Sequence, residues 1–112
     1  MKNSTDQFDN QIPMILRVFE NTLRSGYNVA QCLEIIAKDL PGPAGTEAQQ
    51  VLVELKDGTA LPQALQNWLG RVPSPDLDLI VATILVQLEV GGNLADKFNL
   101  LAQVMNKRSL KA

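Results

Sequence analysis

The sequence predicts an all-α protein, a compact six-helix bundle built from three successive helical hairpins. Two observations carry this. Apolar residues recur at helical spacing in every patterned segment, and no segment alternates as a strand would. Three glycines, Gly26, Gly58 and Gly91, also stand 32 and 33 residues apart, each opening the same template. An apolar residue follows each at the third, seventh, tenth, eleventh and fourteenth position. The series are Val29, Leu33, Ile36, Ala37, Leu40; Leu61, Leu65, Trp68, Leu69, Val72; and Leu94, Phe98, Leu101, Ala102, Met105. A leucine precedes each glycine by three residues: Leu23, Leu55 and Leu88. The period is near that of tetratricopeptide repeats, but their Trp, Gly, Tyr and Pro pattern is absent and the breaks differ in length. The units therefore predict a bundle, not a solenoid.

Residues 1–11 show no periodicity and are expected to be a flexible lead-in to a helical domain over residues 12–106. The first helix runs from about Pro13 to Ser25, with Ile12, Ile15, Leu16, Phe19 and Leu23 at helical spacing. Gly26 ends it and Asn28 caps the second, whose stripe begins at Val29. Pro41-Gly42-Pro43 breaks the chain before a third helix carrying Ala44, Ala48, Val51, Leu52 and Leu55. The fourth follows Asp57-Gly58, with Pro62 in its first turn.

After a break at residues 71–76, the fifth helix is apolar at ten of the fourteen positions from Leu77 to Val90. Ser74 and Pro75 suit its N-cap and first turn, and Asp76 and Asp78 suit the positive end of its dipole. Such a helix is expected to be covered on several faces, making it the most buried element, with the others wrapped around it. Gly91-Gly92 closes it and Asn93 caps the sixth helix.

With 112 residues, 46% hydrophobic and 20% charged, the chain is one ordinary globular domain. A net charge of -2 supplies no global positive field for nucleic acid. The second helix offers only Gln31 and Lys38 beside Glu34 and Asp39, and the fourth only Gln63, Gln66 and Asn67, which is poor material for a DNA-reading helix. The absence of histidine removes Ser-His-Asp and Cys-His catalysis and His-ligated metals. A single cysteine, Cys32, forms no internal disulfide and has no base beside it. Asp76 and Asp78 stand two residues apart, on nearly opposite sides of a helix, and share nothing. Gly91-Gly92-Asn93 lacks the preceding strand and the following Lys-Ser/Thr of a phosphate loop. No enzyme, metal or cofactor is expected. No run reaches the roughly 20 apolar residues of a membrane span, and MKNSTDQFDNQ lacks a signal-peptide core.

Three segments together resemble a known family: FENTLRSGYNVAQCLE (19–34), LKDGTALPQAL (55–65) and RVPSPDL…EVGGNLAD (71–96). They are similar to the cytoplasmic domain of the type II secretion system F family, most closely its tight-adherence (Tad/Flp) type IV pilus platform proteins. The resemblance spans about Pro13 to Lys107. Cys32, where alanine is expected, and Lys97-Phe98 depart from it. It implies a six-helix domain without enzymatic activity, attached to transmembrane helices at the cytoplasmic face of the bacterial inner membrane. The implied partners are the assembly ATPase, other platform subunits and pilins, with a homo-oligomer possible. The alternative is a general helical adaptor unrelated to secretion.

Gly26, Gly58, Gly91, Gly92 and Asn93 are expected to be structural turn residues. Glu34, Lys38, Glu54, Lys56, Asp57 and Glu89 are expected to meet a partner through a polar contact of modest strength, because the outer faces show no long apolar run. Lys107, Arg108 and Lys111, in a basic tail over residues 107–112, are expected to lie beside an anionic membrane surface.

Overall fold

The computed structural model describes the backbone of residues 4–111 and the side chains of residues 6–106. Among the described residues it is all-helical, with seven helices and no strand. They are α1 (Ser4–Asn10), α2 (Ile12–Arg24), α3 (Val29–Asp39), α4 (Gly42–Lys56), α5 (Leu61–Arg71), α6 (Pro75–Val90) and α7 (Leu94–Lys111). Six of them, α2 to α7, match the expected helices in order.

Sequence-local chemistry sets the helix ends. Asn28 and Gln31 form a reciprocal capping box, with the Gln31 amide donating to Asn28 Oδ1 at 2.9 Å and the Asn28 amide to Gln31 Oε1 at 2.8 Å. The Ser74 hydroxyl accepts from the Leu77 amide at 3.2 Å, and Asn93 Oδ1 from the Asp96 amide at 3.0 Å. α2 and α4 close alike. The Gly26 and Gly58 amides donate to the carbonyls of Leu23 and Leu55, while the next residues, Tyr27 and Thr59, reach back to Thr22 and Glu54. This accounts for the fixed leucine–glycine spacing in the first two units. The third departs: Gly91 donates to Gln87, and Leu88 is exposed.

The lead-in is a correction. Residues 4–10 are helical, and Phe8 is fully buried, its ring edge-on to Trp68 with centroids 6.0 Å apart. One apolar residue makes no periodicity, so only the tertiary contact shows what this turn does. Burying a phenylalanine contributes roughly 1.5–3 kcal/mol. Polar ties reinforce it. The Ser74 hydroxyl donates to Asp9 Oδ1, joining α1 to the start of α6. Gln11 donates from Nε2 to the Pro41 carbonyl and accepts from the Ala44 amide at 2.9 Å. It thus satisfies an otherwise orphaned donor in the first turn of α4, whose own N-cap residue, Pro41, offers no side-chain bond.

All fifteen template positions are buried or half-buried. The centre of the bundle, however, is α2. It buries Ile12, Ile15, Leu16, Phe19 and Thr22, and packs against both α7 and α3, while α3 packs most extensively on α4. The expectation that α6 is the most buried helix is corrected. Its inner side buries Leu77, Ile80, Val81 and Ile84, but Leu79 and Val86 are about half exposed and Val90 is 71% exposed. α6 sits at the margin, packed chiefly on α5 and α7, and among the described residues its outer side is exposed.

α4 packs extensively on α3 and buries Ala44, Gly45 and Ala48. A Cβ at Gly45 would collide with the backbone carbonyl oxygen of Leu40, whereas one at Gly70, in α5, would meet nothing. Gly45→Ala is therefore expected to lower stability by about 1–3 kcal/mol through overpacking. Gly70→Ala is expected to raise it by up to about 1 kcal/mol through helix propensity. Urea unfolding of the two variants beside the parent checks both signs at once.

Candidate interaction surfaces

No group of three or more Cys, Asp or Glu side chains that could hold a metal ion occurs among the described residues. Cys32 lies fully buried between α2 and α3, its thiol directed at the Phe19 carbonyl at 4.0 Å. Desolvation pushes its pKa up to about 12 against small opposing contributions from hydrogen bonds. It is a core side chain, held far from the thiolate form that nucleophilic chemistry requires. Asp76 and Asp78 both occupy the first turn of α6 and diverge: Asp76 lines a cleft beside α7, while Asp78 is exposed.

Gly26, Gly58, Gly91 and Gly92 all have positive φ, from +76° to +106°. At Gly91 the chain leaves α6 with φ +76° and ψ -168°, a conformation closed to side-chain-bearing residues, so it is a backbone requirement.

Of the residues expected to meet a partner, Glu34, Lys38, Lys56, Asp57 and Glu89 are exposed. Glu54 is not free to serve, because an intramolecular network engages it. Arg71 Nη1 lies 2.9 Å and Asn67 Nδ2 2.9 Å from its carboxylate, and Gln50 donates at 3.3 Å. These hydrogen bonds, Asn67 foremost, together with the Arg71 charge hold its carboxyl below the usual pKa. Arg71 also pairs with Glu47 at 2.7 Å, so the cluster orients α5 on α4. Such exposed pairs contribute little energy individually. Their pattern is legible only once both helices are in place. The side chains of Lys107, Arg108 and Lys111 lie outside the described residues.

Two concave regions stand out among the described residues. A polar cleft of about 540 Å³ between α2 and α7 carries Asp9, Arg17, Glu20, Asp76 and Asn99 on its walls, partly tied off by Asn99 donating to Glu20 at 2.8 Å. A shallow groove of about 460 Å³ between α6 and α7 is lined by Leu79, Ala82, Val86, Leu100, Leu101 and Val104. Leu100 and Val104 are 61% and 55% exposed. This apolar face overturns the expectation that the outer faces show no long apolar run. Its sequence signal was the apolar coverage of Leu77–Val90, which predicts that something covers α6 but not whether the cover lies inside the chain.

The family model for type II secretion system protein F matches residues 15–112. The chain belongs to the type II secretion system protein F family. No curated protein and no solved structure matches it. The match takes in α2 from Ile15 onward and all of α3 to α7, leaving α1 and its Phe8 anchor outside. Each of the three resembling segments straddles a helix junction: 19–34 the α2–α3 turn, 55–65 the α4–α5 turn, and 71–96 the two junctions flanking α6. Among the described residues no helix is long and apolar enough to cross a membrane.

The Cys32 environment sets a pH dependence. The unfolded thiol ionises near its ordinary value of 9.0 and the folded one near 12, so the thiol's contribution is complete below pH 9 and is lost as pH rises through that window. Relative to a Cys32→Ala variant, the parent is expected to lose up to about 1.4 kcal/mol of stability per pH unit above 9. Urea midpoints of both proteins between pH 8 and pH 10.5 check the slope and its sign.

Proposed function

We propose that this chain is a non-catalytic cytoplasmic domain of an inner-membrane platform protein, serving type IV (Tad/Flp) pilus assembly or type II secretion by docking the assembly ATPase. The observation that carries the reading is the family match over nearly the whole chain. Two features of the fold support it. Short turns closed by glycine caps leave few residues free to absorb a displacement, which suits a surface that another machine pushes against. The signature segments hold cap and turn residues in place of a catalytic constellation.

In this reading the ATPase meets the polar outer side of α3 and the end of α4, through Glu34, Lys38, Lys56 and Asp57. Glu54 and Arg71 act behind them by holding α5 against α4. The domain sits at the cytoplasmic face of the bacterial inner membrane, with α7 running into the basic tail toward the lipid. Pilins and other platform subunits are further neighbours in the assembly.

Rim charges set on-rate and specificity more than affinity. The isolated domain is therefore expected to bind its cognate ATPase at micromolar Kd or weaker, about -8 kcal/mol or less favourable. Calorimetry against the ATPase in its empty, ATP-bound and ADP-bound states tests this. Lys38→Glu combined with Lys56→Glu is expected to weaken binding about tenfold while leaving the thermal midpoint unchanged. Failure to bind in every nucleotide state, with capture of an unrelated soluble partner, would favour a general helical adaptor.

A further inference from the structure

We propose that α1 is a self-docked flap: residues 4–10 open as a unit about Gln11, uncovering Trp68 and loosening the N-cap of α6. The pivot is fixed on the side away from α1. Gln11 bonds through its side chain to the Pro41 carbonyl and the Ala44 amide, and its own carbonyl accepts from the Ile15 amide at 3.0 Å. Ile12, the next residue, is buried. Release of α1 therefore leaves Gln11 and the helices after it in place.

The flap itself is held from outside. Its seven residues are about half of what an isolated helix needs to persist in water, so α1 is helical only while docked. Phe8 is its apolar anchor, and Asp6, Gln7 and Asn10 beside it are exposed. The Phe8 and Trp68 rings stand at 88° to each other with centroids 6.0 Å apart. A short helix with few buried apolar contacts has the character of a segment that opens below the free energy of global unfolding. The family match begins at Ile15, so the domain that the family shares does not include the flap.

Closure also reaches α6. The Ser74 hydroxyl donates to Asp9 Oδ1 and accepts from the Leu77 amide at 3.2 Å, so one buried hydroxyl both latches the flap and caps the helix. With its proton held by Asp9, the oxygen presents a lone pair to the amide; with the flap open, the hydroxyl is free to turn. A second observation favours exchange between two states over permanent closure. The Trp68 indole N–H is buried without a partner in the closed form, a cost that contact with water removes. Exposure of the chain's one tryptophan and weakening of the α6 cap thus belong to the same opening.

The proposal does not depend on ATPase docking, and failure of either leaves the other standing. Native-state hydrogen exchange on the parent chain tests it. Amides of Phe8, Asp9 and Asn10 are expected to exchange through an opening at least a hundredfold more populated than the one that releases Leu16 and Phe19. Phe8→Ala should move the chain toward the open form. Acrylamide quenching of Trp68 fluorescence should then rise at least threefold and the Leu77 amide exchange at least tenfold faster. The Asp96 amide, capped by Asn93, should be unchanged. Phe8→Leu, which keeps an apolar anchor, should stay close to the parent in each readout. Protection of the parent's α1 amides equal to that of α2 overturns the flap, whether or not Phe8→Ala folds. A Phe8→Ala chain whose α1 amides exchange freely while Trp68 stays shielded overturns the claim that the flap covers it. An unchanged Leu77 amide in that chain overturns the link to α6.

Discussion

The bundle depends most on one side chain, Phe19, where three helices meet. Its ring stacks on Phe98 of α7 with centroids 4.8 Å apart and planes within 2° of parallel, and its carbonyl faces the thiol of Cys32 on α3. Stacked aromatics contribute about 0.5–1.5 kcal/mol beyond the area they bury. The larger consequence is topological. Phe19 and Phe98 are far apart in sequence, so this contact joins the first long helix to the last and closes the bundle. α2 is thereby fixed at the centre, α3 and α4 settle on one side of it, and α6 is left at the margin beyond α7 and α5.

That placement explains why the most apolar helix is not the most buried. Hydrophobic burial acts on area and carries no preference about which molecule supplies the cover. Inside the chain, α2 and its neighbours use up the covering surface. What remains on α6 and α7 is an exposed apolar face. The buried thiol, by contrast, is held protonated, and the two helix-start aspartates diverge.

How much of this was legible in the sequence varies with the range of the interaction. Caps at Asn28, Ser74 and Asn93 act within three residues, and were readable from residue type and position. The glycine template was readable because each unit repeats the same local problem of ending one helix and starting the next. Phe8 was not, since a single apolar residue has no period and its partner, Trp68, lies sixty residues away. Nor was Gly45, whose role arises only when the link between α3 and α4 folds the Leu40 carbonyl back onto it. Glu54 looked like a solvated surface acid until α5 brought Arg71 and Asn67 to it. The α6 misplacement is the most instructive case: periodicity reports which bearings are apolar, but not which of them the chain itself will cover.

The central claim is that α2, not α6, is the last element to open. Native-state hydrogen exchange, followed residue by residue, measures this directly. The account predicts that amides of Leu16, Phe19 and Leu33 exchange only through global unfolding, while those of Gln87 to Val90 exchange through a local opening of lower free energy. Global protection throughout α6, together with sub-global opening of α2, would contradict it.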